Sequence, residues 1–394
     1  MATEVYDFDT IHDRKNTQAY KWTWFPDAIP LSVAEMEFPV APEVLDALHQ
    51  RVEHGFFGYT GPADELREVI VQKMKDLHSW DVNPDHILFN PGMVLMLNVI
   101  AQCVGKAGDG ILMTMPAYGP FLRVPENRGR FPQMVAMTRV DDDASTFHYE
   151  MDFDAFEAAI IPQTSLYFLC NPHNPVGLAF KQAELERIAE ICLKHDIVIA
   201  SDDIHCEIQL GDSQHIPIAS LSSEIADKTI TMISHTKPYN MAGLACSAAI
   251  VSNDDLRERI QAKSRASGYH SDTLAFTAML AAYRDSGAWL HAASRYITAN
   301  RDYYVQFVRD NLPLLKTTIP DGTYMAWIDC SALNLSDEYD NASDFFFKEA
   351  NVGLNPGTFF GDKFGDYVRL NFACPRAMLE EALHNMQAAL EKLG

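Results

Sequence analysis

The chain has 394 residues, 47% of them hydrophobic and 22% charged, an ordinary globular composition with room for two or three domains of about 150 residues each. Fifty-four acidic residues against 31 basic ones leave a net charge of -23, which repels polyanions and argues against nucleic acid as a partner. The seven cysteines (Cys103, Cys170, Cys192, Cys206, Cys246, Cys330, Cys374) are odd in number, scattered and without a CxxC pair, so they read as reduced thiols of a cytoplasmic protein and no metal site is expected.

In chain order, residues 1–9 are acidic and lack the apolar stretch of a secretory signal, and no later run is long and apolar enough to span a bilayer, so no membrane partner is expected. The first fifty residues, with Trp22, Trp24, Phe25 and Pro26, are weakly periodic and read as an arm lying against another surface. Val44, Leu45, Leu48 and Val52 recur at helical spacing and predict a helix over 41–54; the glycine-rich stretch 55–62 that follows is a loop.

From 63 to 285 short apolar runs alternate with amphipathic segments. Strands are predicted at 87–89, 110–115, 133–137, 165–169, 197–200, 229–233 and 248–251, and the clearest helix at 181–195, where Leu185, Ile188, Ile191 and Cys192 form one face. Such alternation predicts an α/β fold with a mostly parallel, seven-stranded sheet between helices, whose ligands sit at the carboxyl ends of the strands. A long helix over 289–311, stopped by Leu312-Pro313, leads to a smaller α+β part with strands at 324–328 and 367–370 and a closing helix over 376–393. The division expected is an arm over 1–50, contributing to the small domain, a large domain over 51–288 and a small domain over 289–394.

Four signals at predicted strand ends carry chemistry. Lys237 follows the run 229–233 between the hydroxyls of Ser234 and Thr236 and a glycine turn; a crowded, desolvated lysine there could form a Schiff base, although an ordinary loop lysine has the same local sequence. Asn174 lies in the Asn-Pro-rich turn 171–177, which suits either an amide donor or a plain structural turn. Asp202 ends a buried run and needs a cation or protonated heterocycle, unless it only caps a helix, and His205 beside it has no ligand set that would make it a metal site. Gly92 opens a helix at Met93 and Val94, where free N–H groups suit a phosphate. Together, a phosphate cradle, a carboxylate, an amide donor and a lysine on one sheet point to pyridoxal phosphate.

On these residues the sequence resembles the fold-type I, class I/II aminotransferase superfamily over essentially its full length. Within that superfamily it is most similar to the MalY/PatB-like cystathionine β-lyases, through 54–59 (HGFFGY), 116–121 (PAYGPF), 201–205 (SDDIH), 322–329 (GTYMAWID) and 368–375 (VRLNFACP). The resemblance implies the transferase fold of that superfamily and pyridoxal 5′-phosphate bonded to Lys237, which then moves the α-proton. It implies further that Asp202 pairs with the ring nitrogen, that Asn174 and His205 hold the ring, and that Tyr118 stacks on it as part of the catalytic set. The phosphate would meet Gly92, Met93, Val94, Ser234, Thr236 and the partner subunit's Tyr59, in a homodimer with shared active sites. Arg369 would clamp the substrate carboxylate, with Ala34, Glu35 and Tyr324 near the substrate.

The implied reaction is β-elimination from a cystathionine- or cysteine-conjugate-like amino acid, giving pyruvate, ammonia and a thiol. An aminotransferase uses the same residues and is the alternative reading, and some members of the group also have regulatory, protein-binding roles. The chain departs from the group at 32–38: Ser32 replaces a tryptophan, and Glu35 and Glu37 replace aspartates. If Glu35 faces the substrate it would select a cationic or polar group, even a sulfonium such as S-adenosylmethionine, whereas on a surface loop it would select nothing.

Overall fold

The computed structural model describes residues 6–393, so the reading of the extreme amino terminus at residues 1–5 lies outside the described residues. Seven strands, Ile87–Asn90 (β1), Gly110–Met115 (β2), Phe131–Ala136 (β3), Thr164–Cys170 (β4), Val198–Asp202 (β5), Thr229–Ile233 (β6) and Ser247–Val251 (β7), form one sheet in the order β1-β7-β6-β5-β4-β2-β3. β7 runs antiparallel to both neighbours and every other pairing is parallel. Every residue of β5, β6 and β7 is buried, which is why these strands read as continuous apolar runs.

Alternate residues feed the two faces of the sheet. Ile111, Met113, Leu166, Phe168, Ala200 and Met232 pack with Met96, Leu97 and Ile100 of the helix Met93–Cys103. Leu112, Tyr167, Leu169 and Ile199 pack on the other face with Leu185, Ile188, Ile191 and Cys192 of the helix Gln182–Lys194. In register, Cys170 of β4 lies beside Asp202 of β5, and Asp202 beside Met232 of β6, so the turns after these strands open side by side.

The long helix is Gly287–Asn311, and beyond it lies an antiparallel sheet in the order Lys316–Thr317, Met325–Asp329, Tyr367–Asn371, Asn355–Pro356, covered by the closing helix Arg376–Glu391. Before Met325 the chain passes close to the turn after β4: a Cβ at Gly322 would stand 2.6 Å from Cγ of Pro172, so only glycine fits there. The short hairpin Thr138–Asp141 with Phe147–Glu150 and the helices Asp64–His78, Asp254–Ala266, Thr273–Asp285 and Ala342–Ala350 are among the elements that the sequence pattern left unassigned. Among the described residues no helix is long and apolar enough to cross a membrane.

The surface on which the arm lies belongs to its own chain. Ile29–Pro30 pairs in parallel with Val352–Gly353, and residues 31–38 then run as a strap between the two sheets, tied by side chains to its backbone. Asn371 donates to the carbonyls of Val33 and Glu35, both at 2.7 Å. Asn240 accepts from the Met36 N–H at 2.8 Å and donates to the carbonyls of Met36 and Phe38 at 3.0 and 2.7 Å. Because Asn240 sits at φ 57, a conformation asparagine tolerates, its short amide can face the strap from the loop that follows Lys237. Replacing Asn240 by Ala removes three hydrogen bonds to partly buried backbone and is expected to destabilise the fold by about 1–3 kcal/mol in denaturant unfolding.

Candidate active site

The strand ends and the strap enclose a cavity of about 150 Å³ whose lining includes Ala34, Tyr118, Asn174, Asp202, His205, Lys237 and Arg369. Met93 and Val94 line it as well and also face an adjoining depression, where Gly92, Ser234 and Thr236 meet Tyr118 and Lys237. The turns after β1, β4, β5 and β6 thus bring together residues separated by nearly 150 positions, from Gly92 to Lys237.

Lys237 leaves the end of β6 and its Nζ donates to the Ala34 carbonyl at 2.6 Å. Burial, aided by the nearby Arg369 charge, pulls its ammonium down to a pKa of about 8. Asp202 is pushed the opposite way, to about 7, mainly by burial, although one oxygen accepts the Ile204 N–H at 3.2 Å. An uncharged amine and a protonated acid are therefore both accessible near neutrality, and a cation placed beside Asp202 would restore its carboxylate while keeping the Lys237 amine neutral.

Arg369 is buried, donating through Nη1 to Oδ1 of Asn174 at 3.0 Å and through Nη2 to the Ser32 carbonyl at 2.9 Å, while its Nε has no partner. Burial lowers its pKa to about 10, so it remains a cation. The bond from Arg369 fixes the amide orientation of Asn174, making its NH2 the donor left over. His205 is held neutral, its pKa well below the ordinary value through burial and the charges of Lys237 and Arg369, and its Nδ1 is buried without a partner.

Gly92 precedes the first turn of the helix Met93–Cys103 at φ 142, a conformation that favours glycine and frees the helix N–H groups for an anion. Ser234 and Thr236 stand 2.9 Å apart by their hydroxyls, and Ser234 also bonds the Cys246 carbonyl at 2.7 Å. Tyr118 begins the helix Gly119–Asn127 and faces both the cavity and the depression; burial raises its phenol pKa. Behind Asp202, Asp203 is bonded to Ser201 and to His215 Nε2 at 2.8 Å.

Three expected residues do not line the cavity of their own chain. The Glu35 carboxylate pairs with Arg14 at 2.8 Å and is absent from the lining, because an arginine of the arm reaches it first. Tyr324 is fully buried beneath the strap and donates to the Ala34 carbonyl at 3.1 Å. Tyr59 is fully exposed in a different depression beside His270, away from its own chain's Lys237. Conversely, Trp24, Val33, Ile204, Asn355 and Phe359 line the cavity without having been singled out as site residues, since isolated residues in an arm or a non-periodic segment carry no spacing signal. Among the described residues no cluster of three His, Cys, Asp or Glu could hold a metal ion.

Comparison with known proteins gives the family and the fold. The family model for aminotransferase class I and II matches residues 26–386. Cystathionine beta-lyase PatB of Bacillus subtilis is 34% identical over 392 residues, which cover 98% of this chain and 100% of that protein. Cystalysin from Treponema denticola, whose crystal structure contains pyridoxal 5′-phosphate, superposes with a TM-score of 0.93 at 32% identity, covering 99% of this chain and 100% of the other. A PLP-bound putative aminotransferase from Clostridium difficile gives a TM-score of 0.93 at 34% identity over 98% of this chain and 100% of the other.

The opposed titrations of Lys237 and Asp202 give a direct test. In protein stripped of bound small molecules, labelling of Lys237 by an amine-selective reagent, read by peptide mass spectrometry, is expected to rise through pH about 8. An ordinary lysine titrates near ~10.4. Arg369→Gln removes a positive charge that lowers the Lys237 pKa, so it moves the midpoint to higher pH.

Proposed function

The chain belongs to the aminotransferase class I and II family, and from that membership we propose that it is a pyridoxal 5′-phosphate-dependent carbon–sulfur β-lyase of cysteine-conjugate-like amino acids. The observation that carries this reading is one cavity holding a buried amine and a buried acid, each displaced toward its neutral form, beside a buried arginine. The donor set fits the cofactor. The buried, unpartnered Nδ1 of His205 and the spare NH2 of Asn174 suit a heteroaromatic ring and its oxygen, and the uncompensated Asp202 suits a protonated ring nitrogen. Gly92, Met93 and Val94 with the hydroxyls of Ser234 and Thr236 suit its phosphate.

When bound, pyridoxal phosphate supplies a sink for the electron pair left when an α-proton is removed. The remaining work falls to side chains. Lys237 is the residue to which the cofactor would be bonded and, with its Nζ free, the base that would take the α-proton. Its lowered pKa suits that exchange near neutral pH. Asp202 holds a proton on the ring nitrogen, and Arg369 holds the substrate carboxylate so that the α-carbon faces Lys237. Tyr118 covers the ring. With a β-sulfur present, the carbon–sulfur bond breaks, the sulfur leaves as a thiol after gaining a proton, and water completes the products as pyruvate and ammonium.

The exposed Tyr59, flanked by the exposed Phe56 and Phe57, supports a homodimer in which the partner subunit's Tyr59 completes the phosphate site. Seven free, buried cysteines support residence in the reducing cytoplasm.

Incubating the cofactor-loaded protein with S-substituted cysteines is expected to release thiol and pyruvate in equal amounts. Transfer of the amino group to a 2-oxo acid with no thiol release overturns the lyase reading in favour of an aminotransferase. Lys237→Ala is expected to slow thiol release by at least about 100-fold through loss of the proton-transferring base. Arg369→Lys is expected to raise KM by about tenfold through loss of a charge-assisted, bidentate clamp.

A further inference from the structure

The lining of the cavity is divided by chemistry. Lys237, Asp202, His205, Tyr118 and Arg369 have tasks under the lyase reading, whereas Trp24, Val33, Ile204 and Phe359 make an apolar wall of the lining with no charge of its own. Trp24 is the unusual member. It follows the short helix Tyr20–Thr23, and its ring remains 54% exposed, stacked only on the still more exposed Tyr20 at 5.9 Å and 23°.

Its neighbours in sequence are firmly seated. Lys21 is fully buried, with Nζ 3.0 Å from both the Glu35 carbonyl and the Glu37 carboxylate, and Trp22 donates to Glu37 at 3.1 Å. Phe25 packs against Phe347 with ring centroids 5.4 Å apart. The backbone carrying Trp24 is thus pinned on both sides while its indole is left to the cavity mouth. Phe359 is fixed as well, tilted on Tyr118 at 6.2 Å and packed so closely on Gly119 that a Cβ there would stand 2.8 Å from the Phe359 carbonyl oxygen.

The strap carboxylates are already paired, Glu35 with Arg14 and Glu37 with Arg14 and Lys21, and Asp202 in the lining is assigned to the cofactor's ring nitrogen. A second ammonium and carboxylate on a long substrate, as cystathionine carries, would find no partner on the wall and would lose hydration there. A flat, uncharged group would gain two aromatic neighbours.

Resting on the lyase reading for the reaction itself, we propose that Trp24 and Phe359 form a subsite for the sulfur substituent, and that the preferred substrates are cysteines bearing an aryl or heteroaryl group on sulfur. The indole of Trp24, delivered by the arm, supplies an aromatic surface at the cavity mouth. Selection comes from apolar contact and ring stacking, and the anchoring of Lys21 and Trp22 holds the arm in place for it.

The test separates the subsite from the reaction by using amino acids with no carbon–sulfur bond. Homophenylalanine and norvaline are the carbon analogues of S-phenylcysteine and S-methylcysteine, and their binding to the cofactor-loaded protein is measured by calorimetry. Homophenylalanine is expected to bind at least about tenfold more tightly, a ratio consistent with burying a phenyl ring. Trp24→Ala is expected to reduce that ratio to about twofold or less, and Phe359→Leu to reduce it in part; the exposure of Trp24 makes misfolding of the first variant improbable on physical grounds. A ratio near one in the parent protein, or one that Trp24→Ala leaves intact, overturns the subsite. Thiol release from S-phenylcysteine and S-methylcysteine is followed separately: absence of thiol with the binding ratio as expected retires the lyase reading and leaves the aromatic subsite standing.

Discussion

The site depends on a row of backbone carbonyls in the strap over residues 32–36. Arg369 holds Ser32, Asn371 holds Val33 and Glu35, Lys237 and Tyr324 hold Ala34, Lys21 adds a second bond to Glu35, and Asn240 holds Met36. A segment without a regular ladder must satisfy its buried polar groups individually. Here the donors come from the end of β6, from both central strands of the antiparallel sheet and from the arm. The same bonds that keep the strap in place therefore set the distance between Lys237 and Arg369, which belong to different sheets.

Burial then gives these side chains their chemistry. Taking Asp202 and Lys237 out of water disfavours the ionic form of each, and among the described residues neither has a close ion-pair partner that returns the loss. A buried ion pair exists elsewhere in the fold, between Glu37 and Lys21 at 3.0 Å, so the fold compensates buried charge where structure is the only purpose. The uncompensated pair faces the cavity. A ligand with a cationic nitrogen for Asp202 and a carbonyl for the amine of Lys237 converts both costs into binding.

Much of this was legible in the sequence, because parallel strands obey a simple rule: turns that follow them share one edge. Asn174, Asp202, Lys237 and Gly92 each follow an apolar run, and knowing that the runs pair is enough to bring the four together. Strand limits differ by one or two residues, since polar ends such as Asp202 are hydrogen-bonded in the ladder despite their chemistry. The wall made by Trp24 and Phe359 was not legible. It is set by where the arm is anchored through Lys21 and Trp22, and no periodicity encodes that. The placement of Glu35 was hidden for the same reason: its partner Arg14 lies 21 residues upstream and is brought close only by the fold.

The Ala34 carbonyl shows how such a site can work without losing its frame. Its oxygen has two lone pairs and receives two donors, Nζ of Lys237 at 2.6 Å and the phenol of Tyr324 at 3.1 Å. Under the proposed function one donor, Lys237, gives up this bond when its Nζ is joined to the cofactor. The other is fully buried, with a hydroxyl whose pKa is raised by burial, and stays a hydrogen-bond donor throughout. Tyr324 thus belongs to the site without lining it: it keeps the strap satisfied while Lys237 moves, and the cost of leaving a buried carbonyl unpaired is avoided in each state.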